Sequence, residues 1–336
     1  MAIKIVCYGV RDTEKEFFTS LNEKFGYELV LVEELLTHDN INTAQGAQAV
    51  MLRANCVADK QNLDKMKEFG IKYVLTRTVG VNHIDVDYGD QLGFKMARVP
   101  FYSPNAVSEL AVALAVGFLR NTFYMANKMR QKNFKVDDFM FAKEIRNSTI
   151  GVIGTGRIGM EAAKAFKGMG AKVLGYDIYP NDANKAILDY VSLDELLAQS
   201  DLITLHSPYI PGQNDNMINK DTIAKMKKSA IIINAARGEL INPEDLLAAI
   251  KSGHIKGAAL DTLQNESQIF FKDFEGRELP IKVYEELHQF YPRVIFTPHV
   301  GSYTDEAVKN MVETSYENLA EFEKSGQCKN IVSTKK

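Results

Sequence analysis

Cysteine is scarce. Only Cys7, Cys56 and Cys328 occur in 336 residues, far apart and without a Cys-x-x-Cys pair, so neither a disulfide framework nor a cysteine-based metal site is indicated. That usage fits a reducing cytoplasm. There is no basic tract and no run of aromatics between cations, and the formal net charge is −3. Nothing in the chain therefore recruits a nucleic-acid backbone or an anionic membrane surface. No apolar run reaches the roughly 18 residues that a membrane span needs, and the opening "MAIKIVCYGVRD" turns polar too soon for a signal peptide. A soluble protein that is not exported is expected. No pair among the six histidines has metal-ligand spacing, so no metal is expected, and no internal repeat or low-complexity tract is evident.

What is present reads as ordinary globular material: 46% of the residues are apolar and 25% charged. The length makes two domains, each with its own core, the natural expectation. Short apolar runs alternate with longer amphipathic ones, as in "IKIVCYG", "KYVLTRTVG", "TIGVIG", "DLITLHSP" and "AIIINAARG". Such Val-, Ile- and Leu-rich runs between helical patterns mark parallel strands buried on both faces. Doubly wound α/β structure is expected in both domains.

Two stretches read as boundaries. In "VPFYSPNAVSEL", Pro100 and Pro104 break regular structure. Ser103 or Asn105 would cap a long helix that begins at Ala106 and runs through "AVSELAVALAVGFLRNTFYMANKMRQ" from the first domain into the second. In "YPRVIFTPHVGSYTDEAV" a strand ends at Pro298 ahead of a final helix. If that helix returns to the first domain, residues 1–103 and 300–336 form one domain and 104–299 are inserted in it. The segment "AVALAVGFL" reads equally as core and as an interface between copies. The Lys-rich end "CKNIVSTKK" is expected to fray.

The stretch "TIGVIGTGRIGMEAAKAFKGMGAKVLGYD" holds a strand, then Gly154, Gly156 and Gly159 in G-x-G-x-x-G spacing, a helix, and a second strand ending in Asp177. Gly154 permits the tight turn, Gly156 lets backbone approach a pyrophosphate, and Gly159 lets the helix pack closely, while the helix N-terminus offers its N–H groups to the anion. Asp177 lies where a carboxylate accepts hydrogen bonds from the adenosine ribose. No Arg or Lys follows in "YDIYPND", so NAD is expected rather than NADP. Arg157, inside the loop, is placed to pair with the pyrophosphate.

Three polar residues stand beyond expected strands in the second half: Arg237 after "IIINAA", Glu266 after "AALDTLQN" and His299 after "RVIFTP". Ligands of open α/β sheets gather beyond the carboxyl ends of strands. Hydride transfer to a 2-oxo acid leaves an alkoxide that needs a proton, and histidine donates one near neutral pH. Glu266 would orient that imidazole and favour its charged form. Arg237, at the mouth of the most hydrophobic strand, would hold the substrate carboxylate and carbonyl oxygen with its planar fork. His206, in "LITLHSP", is placed along the cofactor crevice; His38, His83, His254 and His288 read as structural or solvated.

In "GVIGTGRIG", "NAARGELI", "ALDTLQNE" and "TPHVGSYT" the chain resembles the NAD-dependent D-2-hydroxyacid dehydrogenase family over essentially its whole length. The resemblance implies a Rossmann nucleotide domain inserted in a flavodoxin-like substrate domain, D stereochemistry, and a homo-oligomer, dimer or tetramer, formed through the nucleotide domain. It assigns Arg237 to substrate, Glu266 as partner of His299, and His299 as acid and base. It adds Ile158, Pro208 and Asp261 to the cofactor site, Asp261 near the nicotinamide amide. Tyr102, Tyr303 and the backbone at Val79 and Gly80 join the substrate site. Many relatives carry proline after the glutamate, where this chain has Ser267, a departure that touches a turn.

The branches nearest in "VPFYSPNA", "NFKVDDFMF" and "YTDEAVKNMVE" act on D-lactate, (R)-2-hydroxyisocaproate and (R)-2-hydroxyglutarate. Arg53 matches the position that the last branch uses for a distal carboxylate, with solvent or Asp59 as its other partners. Phe101, where that branch carries a second arginine, suits a short or apolar chain such as pyruvate. Reduction of pyruvate to D-lactate is the expectation, with 2-hydroxyglutarate and a broad isocaproate or phenyllactate type as alternatives. An NAD-binding co-regulator and a formate or phosphite dehydrogenase on related scaffolds are the competing readings.

Overall fold

The computed structural model describes residues 2–334. In chain order its strands and α-helices are β1 (Lys4–Tyr8), α1 (Asp12–Asn22), β2 (Glu28–Val32), β3 (Ala49–Leu52), α2 (Lys60–Glu68), β4 (Tyr73–Thr76), α3 (Val86–Leu92), β5 (Lys95–Ala97), α4 (Pro104–Leu119), α5 (Thr122–Arg130), β6 (Thr149–Ile153), α6 (Arg157–Gly168), β7 (Lys172–Tyr176), β8 (Asp189–Tyr190), α7 (Leu193–Gln199), β9 (Leu202–Leu205), α8 (Lys220–Ala224), β10 (Ile231–Asn234), α9 (Pro243–Ser252), β11 (Gly257–Leu260), α10 (Lys282–His288), β12 (Val294–Phe296) and α11 (Asp305–Ser325). They form two compact units, one of residues 1–103 with 303–336, the other of residues 104–302.

The first unit carries a five-stranded parallel sheet in the order β2-β1-β3-β4-β5, a flavodoxin-like order. Alternate side chains point to opposite faces of a strand. Val6, Tyr8, Val50, Leu52, Val74 and Met96 therefore meet α2 on one side, and Ile5, Cys7, Ala49, Met51, Leu75 and Ala97 meet α1 and α11 on the other. The last helix thus supplies half the cover of a sheet built from the start of the chain. Thr304 caps it, its hydroxyl accepting from the Ala307 N–H, and Gly326 ends it in the left-handed conformation, as helix termini favour. The segment expected to fray is instead tied down as far as residue 334. Ile331 bridges Ala97, the Val332 N–H donates to the Met96 carbonyl at 2.8 Å, and the buried Asp90 carboxylate accepts from the Thr334 N–H at 2.7 Å.

The second unit carries a seven-stranded sheet, β12-β11-β10-β9-β6-β7-β8, with every pairing parallel. The order reverses between β6 and β9, the switch point at which doubly wound sheets bind ligands. The strand Ile231–Asn234 is buried throughout. The helix expected to run unbroken from Ala106 is two helices, α4 beginning at Pro104 and α5 turned 69° away from it. Asn121 breaks them with φ 53°, and Phe123 folds back against Gly117, where a Cβ would stand 2.5 Å from its ring. In "AVALAVGFL", Ala111, Leu114, Ala115, Phe118 and Leu119 are buried in their own unit, which favours the core reading for most of that segment. Among the described residues no single helix is long and apolar enough to cross a membrane.

Candidate active site

The glycine turn joins β6 to α6. Gly154 has φ 89°, and a Cβ there would lie 2.5 Å from the Ser207 nitrogen beyond β9, while a Cβ on Gly159 would overlap the Gly154 carbonyl. These two glycines serve the protein's own packing. Gly156 does not: its φ is −70° and a Cβ would meet nothing within 4 Å. What it leaves clear is a cradle at the N-terminus of a 12-residue helix whose N-cap makes no side-chain hydrogen bond, the setting in which backbone N–H groups hold an anion. Arg157 is exposed beside it and Ile158 half-buried. His206, past the end of β9, has one ring nitrogen 2.9 Å from the Thr204 hydroxyl and the other buried without a partner among the described residues. Burial pushes the ring down to about 4, so it is neutral at pH 7. Asp177, one residue beyond β7, accepts from the Thr155 N–H at 2.7 Å and the Tyr179 N–H at 2.9 Å, tying the turn to the strand end. Pro208 is exposed just after His206. An open cradle, an uncapped helix and an orphaned ring nitrogen suit a dinucleotide.

Further along the same sheet, the loops after β11 and β12 bring Glu266 and His299 together, Nδ1 to Oε1 at 2.6 Å. His299 has φ 51° and Asn265, before the glutamate, φ 56°. Left-handed non-glycine residues cost roughly 1–3 kcal/mol each and persist where their surroundings hold them. Asp261 does the holding for His299: its carboxylate, buried on the strand end, accepts from the Thr297 hydroxyl at 2.6 Å and from the N–H groups of Val300 and Gly301 at 3.0 and 2.9 Å. Desolvation raises the Asp261 carboxyl while those three donors oppose it. The resemblance places Asp261 near a nicotinamide amide; its donors here all belong to the histidine loop.

Arg237 follows β10 and is exposed, its Nη1 donating to the Ala236 carbonyl at 2.7 Å. Asn234 brackets the turn, accepting from the Ala236 N–H at 3.0 Å and donating to the Arg237 carbonyl at 2.8 Å. The guanidinium at the mouth of the hydrophobic strand thus reaches solvent. Among the described residues no hydrogen bond or ion pair joins it to Glu266 or His299.

The remaining expected residues lie in the first unit. Val79 and Gly80 follow β4 in a loop held by Arg98 on the Val79 carbonyl at 2.9 Å and by the Thr78 hydroxyl on the Gly80 carbonyl at 2.7 Å. Phe101 is 58% exposed, and the Tyr102 carbonyl accepts from Asn310 at 2.8 Å. Tyr303 meets the Thr13 hydroxyl at 2.5 Å, with the Arg11 guanidinium 4.1 Å over its ring and that of Arg53 at 6.0 Å. Asp59 caps α2 and meets His38 at 2.8 Å. Sequence reading missed the surroundings of Arg53. Buried Glu14 lies 3.6 Å from buried Arg77 and 3.9 Å from Arg11, whose Nη1 is buried without a hydrogen-bond partner. Burial first, and then Arg11, bring Arg53 down to about 10. Three guanidiniums around one carboxylate leave this corner rich in positive charge. The one signal for it was Glu14, an acid on the buried face of α1.

The family model for the NAD-binding domain of D-isomer specific 2-hydroxyacid dehydrogenases matches residues 112–301. An aromatic 2-oxoacid reductase of Clostridium sporogenes is 43% identical over 98% of both chains. A D-lactate dehydrogenase of Lactiplantibacillus plantarum is 42% identical over 97% of this chain and 98% of its own. Among solved structures, a D-lactate dehydrogenase from Treponema pallidum superposes with TM-score 0.90 at 34% identity over 98% of this chain and 100% of that one. A D-2-hydroxyisocaproate dehydrogenase does so with TM-score 0.88 at 34% identity, over the same shares.

Proposed function

The chain belongs to the NAD-dependent D-2-hydroxyacid dehydrogenase family, and on that premise we propose that it reduces pyruvate to D-lactate through Arg237, Glu266 and His299. The observation that carries the roles is the 2.6 Å contact of Glu266 with His299 Nδ1. NADH, when bound, supplies the hydride. His299 then gives the proton from Nε2 to the oxygen of the former carbonyl, because Nδ1 is engaged by the carboxylate that orients the ring. Arg237 holds the substrate carboxylate with its forked donors; from the first unit, the backbone at Val79 and Gly80 and the side chains of Tyr102 and Tyr303 are assigned to substrate on the resemblance. In the reverse direction His299 is the base. Gly156, Arg157, Ile158, Asp177, Pro208 and Asp261 serve the cofactor, with Gly154 and Gly159 shaping the turn that receives it.

Asp177 accepts from the adenosine ribose and repels a 2′-phosphate. Asp177→Ala is expected to weaken NADH and narrow its advantage over NADPH, read from steady-state kinetics with both cofactors. A wild-type preference for NADPH would refute the assignment.

Phe101 and the D-lactate dehydrogenases among the relatives support pyruvate. The cluster of Arg11, Arg53 and Arg77 around Glu14 supports a second reading, a 2-oxo acid with a distal carboxylate such as 2-oxoglutarate. The test is kcat/KM with NADH for pyruvate, 2-oxoglutarate, 2-oxoisocaproate and phenylpyruvate, in wild type and Arg53→Ala. On the first reading pyruvate leads and the variant keeps it. If 2-oxoglutarate leads and the variant loses about 1.5–3 kcal/mol of transition-state binding for it alone, the second reading stands. We assign the protein to the cytoplasm, where fermentative reoxidation of NADH would occur, as a homo-oligomer. The segment after α5 favours association: it presents Phe134, Val136, Phe139 and Phe141 to solvent, while Tyr124, Lys128 and Asn121 hold it in shape through Asp137 and the Phe141 carbonyl.

A further inference from the structure

Gln264 sits where three loops of the second unit meet. Its Nε2 donates to Asn216 Oδ1 at 2.8 Å and to the Ile241 carbonyl at 2.9 Å, and its backbone N–H donates to the hydroxyl of buried Tyr284 at 2.8 Å. Ile241 closes the short 3-10 turn Gly238–Leu240 that Arg237 opens. Asn216 pairs with that turn as well, its N–H donating to the Glu239 carbonyl at 2.8 Å. Tyr284 comes from α10. The Arg237 turn and the Glu266 loop approach still more closely at Gly238, where a Cβ would overlap the Leu263 carbonyl group and the Gln264 nitrogen. Backbone thus lies directly on backbone, and a glycine is required for it. Two residues past Gln264, beyond left-handed Asn265, stands Glu266.

We propose that Gln264 is a positioning residue for the reaction: it locks the turn that carries Arg237 to the loop that carries Glu266, so that the guanidinium and the carboxylate orienting His299 keep one fixed geometry. The proposal rests on the roles given above to Arg237, Glu266 and His299. Position 264 requires an amide because both hydrogens of Nε2 are donated. A glutamate of the same shape has none to give, and a methionine fills the volume without hydrogen bonds. The glycine turn at 154–156 shares none of these contacts, so the cradle at the N-terminus of α6 is independent of them. Misplacing a substrate-holding group by about 1 Å costs up to about 10²-fold in rate.

The test compares wild type with Gln264→Met and Gln264→Glu, and with His299→Gln as a control. It reads kcat/KM for the best 2-oxo acid of the panel, KM for NADH, and Tm. Both Gln264 variants are expected to lose about tenfold or more in kcat/KM for the 2-oxo acid, with KM for NADH within about twofold of wild type and Tm little changed. The proposal is overturned if either variant keeps kcat/KM within about twofold of wild type. It is equally overturned if either fails to fold, or loses NADH affinity in proportion, since the residue would then be structural only. Full activity in His299→Gln would instead remove the premise, a result distinct from any behaviour of Gln264.

Discussion

Replacing His299 with glutamine is expected to lower kcat by about 10²-fold or more, the usual scale for a lost acid–base group, while NADH binds as in wild type. Glutamine keeps a polar side chain of similar reach but has no group that releases a proton near neutral pH. The loop itself should survive the change, because the Asp261 carboxylate holds it through Thr297, Val300 and Gly301 and not through the imidazole. The cofactor turn lies at the end of a different strand. Single-turnover reduction of the 2-oxo acid, followed beside a fluorescence titration of NADH, separates the two steps. Turnover near wild type would exclude His299 as the proton donor.

The second large effect falls on stability. Glu14→Gln is expected to destabilise the first unit by about 3–5 kcal/mol, because removing one partner of a buried pair leaves uncompensated charge behind. Glu14 and Arg77 are both buried. Arg77 also donates to the carbonyls of Tyr8 and Gly9 at 3.2 and 3.1 Å, so its guanidinium cannot turn outward without breaking the end of β1. Arg11 loses the same carboxylate. Urea unfolding followed by a probe in the first unit reads the change, since two units need not unfold together. A loss under about 1 kcal/mol would mean that water or the neighbouring carbonyls already neutralise the cluster.

How far the chain could be read in advance depended on the range of the forces involved. The two parallel sheets were legible because strands buried on both faces leave unbroken apolar runs such as Ile231–Ile233. The glycine turn was legible because it compresses its geometry into six residues. Glu266 and His299, 33 residues apart, were legible only as polar residues past strand ends; their contact depends on two left-handed residues and a buried aspartate that no local pattern announces. The break at Asn121 escaped because asparagine tolerates the left-handed conformation without a sequence mark as plain as glycine or proline. The pinned tail escaped because its partners, Met96, Ala97 and Asp90, are more than 200 residues away in the chain. Of Arg11, Glu14 and Arg77 only Glu14 carries a local mark, an acid on the buried face of α1, and only the fold makes the three one cluster.

The way α11 covers the first sheet has a consequence for synthesis. Ile5, Cys7, Met51 and Leu75 share one hydrophobic cluster with Val308, Val312, Tyr316, Leu319 and Phe322, yet the two groups are separated by the whole second unit, residues 104–302. A ribosome adding 5–20 residues per second needs roughly 10–40 s to cross that interval. By its end the second unit, contiguous in sequence, has all the strands and helices of its own core, whereas the earlier-made sheet has one face covered by α1 alone. The portion translated first is therefore the portion completed last, and for those seconds a half-covered face of a parallel sheet stands open to other nascent chains, the kind of exposed apolar surface that chaperones shield.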